Sequence, residues 1–91
     1  MAWSEAEVDL ERGIVRVKRI YEYSIWFDFG GVKRFFVYIE PGYAKYIERR
    51  PDGSLHFVYH EKGEEPEDRP ITEEEAKEII AETAKAWVSD Y

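Results

Sequence analysis

His56 and His60 are the only histidines in the 91-residue chain, and with the neighbouring acids they are the first place to look for chemistry. On a strand they share a face but stand four residues apart, roughly 13 Å at strand rise, too far to grip one metal ion. His56 beside Glu48 therefore reads as an ion pair. The carboxylates of 61–82 are dense, but GEEPEDRP lacks the alternating Asp or Asn and central Gly of a calcium loop. Asp28 precedes Gly30-Gly31, yet a general base needs a placed partner. A phosphate loop needs further glycines and a following helix. Ser4, Ser24, Ser54 and Ser89 have no base at a defined offset. The sequence thus predicts no catalytic residue, no metal site and no cofactor.

Positioning falls to a strand-rich chain. Leu occurs only at Leu10 and Leu55, while Ile, Val, Tyr and Phe dominate, the side chains that suit a pleated, half-buried surface. Turn residues at Arg12-Gly13, Gly30-Gly31, Pro41-Gly42 and Pro51-Asp52-Gly53 separate five expected strands at about 6–11, 14–29, 32–40, 43–50 and 54–61. An acidic loop at 62–71 and a helix over 72–90 follow. Thr72 and Glu75 form a capping box, with Ile71 and Ala76 as its staple. Ala76, Ile79, Ile80, Thr83, Ala84, Trp87, Val88 and Tyr91 make one apolar stripe. The expected fold is a single α+β domain: an antiparallel five-stranded β-meander, with a half-barrel as its main variant, and one C-terminal helix packed on one face.

Alternation extends this to register. Matching the odd positions of strands two and three places Ile25 opposite Phe35 and Tyr23 opposite Val37, which requires three-residue loops at 29–31 and 40–42. The expected core face is Tyr21, Tyr23, Ile25, Phe27, Phe35, Val37, Ile39, Tyr43, Ile47, Leu55, Phe57 and Tyr59. The opposite face then carries three rows: Ser24, Phe36, Tyr46, Val58; Trp26, Arg34, Glu48, His56; and Glu22, Tyr38, Ala44, His60. Arg34 would stack on Trp26 and pair with Glu48. With no second helix to cover it, this face is the candidate binding surface, carried by Trp26, Arg34, Phe36, Tyr38, Tyr46 and His56.

Charge sorts the possible partners. Net charge is -7, and the segment 61–82 accounts for all of it, while 12–50 is locally basic. A protein partner or a homodimer fits the aromatic face best. Single-stranded nucleic acid is the alternative, through bases stacked on the same aromatics, although overall acidity opposes it. No small-molecule ligand is evident. No run approaches the length needed to span a bilayer, MAWSEAEVDL lacks the pattern of a signal peptide, and zero Cys suits a reducing compartment. A natural chain of this kind is expected in the cytoplasm.

Asn, Gln and Cys are all absent, as in chains shaped for heat. PITEEEAKEIIAETAKAWV resembles helices of computationally designed proteins, and RRPDGSLHF resembles a hairpin written to turn rules. That resemblance implies a de novo α+β scaffold. The missing amides, the Glu, Tyr and Ile richness and the irregular front half equally resemble small domains of hyperthermophilic archaea. Lys33–Ile39 (KRFFVYI) loosely resembles the aromatic strand of an RNA-recognition motif, without that motif's glycines or its element order.

Overall fold

The computed structural model of the chain describes residues 5–88. Within them run β1 (Ala6–Asp9), β2 (Ile14–Val17), β3 (Tyr21–Ser24), β4 (Phe27–Phe29), β5 (Val32–Glu40), β6 (Tyr43–Arg49), β7 (Leu55–Glu61), β8 (Glu67–Ile71) and α1 (Glu73–Trp87). Two antiparallel meanders result, β1-β2-β3 and β4-β5-β6-β7-β8. The class is therefore α+β, with a five-stranded antiparallel sheet and a C-terminal helix, as the sequence implies. Which segments make the sheet differs.

The expected strand 14–29 is three strands. A turn at Lys18-Arg19 ends β2, with both residues left-handed (φ 55° and 65°) and Ile20 N–H donating to Val17 O at 3.2 Å. Such a conformation costs roughly 1–3 kcal/mol for a residue with a side chain, so Lys and Arg give no compositional sign of it. A 16-residue strand does exceed the usual 3–10, which is the signal that was there to read. Glu22 and Ser24 accordingly pair with Arg16 and Ile14, away from Tyr38 and Phe36. The expected acidic loop is also partly strand: β8 pairs with β7 from Leu55↔Ile71 to Tyr59↔Glu67. Pro70 is tolerated because β8 is an edge.

Two loops are one residue shorter than alternation suggests. Phe29 pairs with Val32 and Phe27 with Arg34, leaving Gly30-Gly31 as a two-residue turn. Both glycines are left-handed (φ 65° and 95°), which suits the tight hairpin connection that only such residues enter freely. Glu40 likewise pairs with Tyr43 rather than Ile39 doing so, and a bulge between Phe36 and Tyr38 absorbs the extra residue. From Phe36↔Tyr46 back to Lys33↔Arg49, and throughout β6–β7, the register is the expected one, with Ile47↔Phe57 and Arg49↔Leu55.

One face of the larger sheet meets α1 and the smaller sheet. Ala6, Leu10, Val15, Val17, Ile25, Phe35, Ile47, Leu55, Ile71, Ala76, Ile80, Ala84 and Val88 form the buried cluster. Tyr21, Tyr23, Val37 and Phe57 pack at its margin, as does Trp26. Phe27 and Ile39, expected inside, are 63% and 65% exposed. The glycine turn and the bulge are what turned them out. The capping box of α1 is complete: Glu75 N–H donates to Thr72 Oγ1 at 3.1 Å, and Thr72 N–H donates to Glu75 Oε1 at 3.0 Å. Val88 caps the other end. The expected helix end at 90 and Tyr91 of the stripe lie outside the described residues.

Candidate functional site

The face of the larger sheet turned away from α1 is built from alternate residues of β4 to β8, because successive strand side chains point to opposite sides. Its aromatic half is Phe27, Phe29, Phe36 and Tyr46. Phe36 lies 6.2 Å from Phe27, 6.1 Å from Phe29 and 5.4 Å from Tyr46, ring centre to ring centre. Arg34 runs among them, with its guanidinium carbon 5.2 Å above Phe29 and 4.7 Å above Tyr46. Tyr46 and Val58 are buried at the centre by their own neighbours, whereas Phe29 is half exposed. Burial pushes the Tyr46 hydroxyl above its ordinary pKa, opposed by the Arg34 charge.

The other half is a chain of charges across four strands. Arg34 Nε donates to Glu48 Oε2 at 3.2 Å, and Arg50 Nε donates to Glu48 Oε1 at 2.9 Å. Arg50 continues to Asp68 on β8, and Asp68 Oδ1 lies 2.8 Å from His56 Nδ1. Arg50 Nη1 stands 3.2 Å from His56 Nε2. A guanidinium only donates, so Nε2 accepts and the imidazole proton sits on Nδ1, given to Asp68. The hydrogen bond from Arg50, followed in weight by that from His56, holds the Asp68 carboxyl below the usual carboxylate range. A histidine with Nε2 engaged by arginine has no nitrogen free to serve a nucleophile. The arrangement ties His56 to both Arg50 and Asp68.

Of the six residues read from sequence, Arg34, Phe36, Tyr46 and His56 share this face, and the Arg34–Glu48 pair is present. Trp26 does not join them. The two-residue glycine turn shifts β4 by one, so Trp26 packs against the core, where its indole N–H donates to Leu10 O at 3.3 Å. Phe29 and Tyr46 take its place under Arg34. Tyr38 is turned to the helix side by the bulge, where it pairs across from Lys45 and meets Tyr43 at 5.5 Å. Tyr43 in turn meets Tyr59 at 5.2 Å, and Lys45 lies about equally over both rings.

Sequence reasoning missed Phe27, Phe29, Arg50 and Asp68. Gly-Gly between two aromatic runs is a two-residue hairpin signal and would have found the phenylalanines. Nothing local marks Asp68 as a strand residue in so polar a stretch. Among the described residues no group of three or more His, Asp or Glu is placed to hold a metal ion, and no helix is long and apolar enough to cross a membrane. No known protein family, curated protein or solved structure matches the chain.

Proposed function

We propose that the chain is a non-catalytic protein-binding module whose contact surface is Phe27, Phe29, Arg34 and Phe36 on the open face of the larger sheet. The observation that carries this reading is the exposure of Phe27 and Phe29, 63% and 50%, on one short edge strand beside a guanidinium already fixed in place. Aromatic and Arg side chains held rigidly in an apolar patch are the usual anchors of protein interfaces. The charge of Arg34 is committed to Glu48, which favours a protein partner over a phosphate backbone. A composition free of Asn, Gln and Cys supports a scaffold shaped for heat, by design or by thermophilic origin.

The double variant Phe27→Ser/Phe29→Ser tests the reading. Exposed side chains contribute little to the fold, so urea denaturation should show a loss of no more than about 1 kcal/mol. Peptides selected by display against the folded chain should lose about tenfold or more in affinity for the variant. A variant that unfolds, or peptides that bind it undiminished, would show that these rings serve the fold or that contact is made elsewhere.

A further inference from the structure

On the helix side of the larger sheet, at the end away from the tyrosines, the register sets Lys33 directly opposite Arg49. Like charges opposite one another weaken a sheet. Asp28 stands opposite Lys33 on β4, but its Oδ1 accepts from Gly31 N–H at 2.8 Å and it forms no ion pair with Lys33. Lys33 has no ion-pair partner among the described residues. Arg49, whose side chain is 26% exposed, touches carboxylate only at 3.8 Å, on a Glu11 that is itself almost fully exposed. The guanidinium is nevertheless held in place, because Arg49 Nη1 donates to Leu10 O at 3.3 Å. Around the pair lies an open cleft of about 390 Å³, whose wall includes Arg50 and the turn glycines Gly31 and Gly53. Lys33 and Arg49 face it with the single acid Glu11, the charge of Arg50 being paired with Glu48 and Asp68, in a chain whose net charge is -7.

We propose that the Lys33–Arg49 cleft is a binding site for a phosphoryl group. A fixed guanidinium supplies directional donors to phosphate oxygens, and a flexible ammonium opposite adds a mobile charge. The bound dianion offsets the repulsion that the empty site carries. This site lies on the opposite side of the sheet from the Phe27–Phe36 surface and does not depend on that surface binding a protein.

The test is titration of the whole chain with inorganic pyrophosphate and, in parallel, N-acetyl-phosphoserine amide, at ionic strength held constant with sodium chloride so that general screening is unchanged. Both should raise the melting temperature saturably and shift the amide resonances of Gly31, Lys33, Arg49 and Gly53. The tighter of the two identifies a free or a peptide-borne phosphate as the source. Lys33→Ser should weaken binding about tenfold, the order expected for one lost charge-assisted contact. The same variant, without ligand, should melt no lower than the parent because the repulsion is gone. Lys45→Ser, at the tyrosine cluster, should bind as the parent does. A response that is absent at constant ionic strength, or that survives Lys33→Ser, overturns the assignment.

Discussion

Glu48 is the hinge of the charged half of the open face, and removing it is the sharpest test of how that face is built. Its side chain is 11% exposed, while those of its two cations, Arg34 and Arg50, keep about a third of their exposure. An exposed ion pair contributes about 0–1 kcal/mol. Removing one member of a fully buried pair costs about 3–5 kcal/mol, because a charge is left stranded. Glu48→Ala lies between these limits. Two charge-assisted hydrogen bonds are lost, yet both guanidiniums can still reach water, so a cost of about 2 kcal/mol is expected. For a domain of this size that lowers the melting temperature by about 10 °C. Urea titration followed by tryptophan fluorescence, with thermal melting by circular dichroism, reads both numbers. Glu22→Ala is the internal comparison, because the Arg16–Glu22 pair is about half exposed on both sides and should cost less than about 0.5 kcal/mol. Glu48→Gln keeps the volume and an acceptor and should fall between the two. If Glu48→Ala costs no more than Glu22→Ala, the network is a surface decoration and Arg34 is not held by it.

Two further outcomes follow from other features. Gly13 is left-handed (φ 69°), and a Cβ there would stand 2.9 Å from Trp26 Cδ1, so Gly13→Ala should cost about 2–3 kcal/mol by backbone strain and displacement of the indole. Gly53→Ala, with φ 88° and nothing within 4 Å of the added carbon, should cost only about 1 kcal/mol; equal costs in urea would remove Trp26 from the explanation. The pKa of Asp68 is lowered in the fold, chiefly by the Arg50 hydrogen bond, relative to about 3.9 in the unfolded chain. The stability it contributes is therefore fully present above that unfolded value and is lost as pH falls through the lower folded value. Urea midpoints from pH 6 down to 2 should decline less steeply for Asp68→Asn than for the parent, and parallel curves would contradict the role given to Arg50.

Legibility in the sequence followed how local the determining interaction is. The capping box of α1 needs only Thr72 and Glu75 three residues apart, and it formed as written. The Pro51-Asp52-Gly53 hairpin likewise fixed the β6–β7 register, and with it Glu48 opposite His56. Errors entered where one residue changes a parity. Reading Gly30-Gly31 within a three-residue loop exchanged Trp26 for Phe27 and Phe29, and an unseen bulge sent Tyr38 to the far side. The half of the site carried by Arg34, Phe36, Tyr46 and His56 survived because the bulge after Phe36 compensates the shorter turn between Glu40 and Tyr43, which returns β5 and β6 to the expected register from Phe36↔Tyr46 to Lys33↔Arg49.

Composition and alternation by themselves determined the class, the capped helix, the central hairpin and the presence of an aromatic face. Those depend on propensity and on neighbours within a few residues. Tertiary structure alone decided that Lys18-Arg19 would turn against its preference and that 67–71 would become an edge strand. It also decided which aromatics reach solvent. A strained turn persists only when the packing it permits, here Val15 and Val17 with no exposure at all, outweighs its local cost, and no local pattern records that balance.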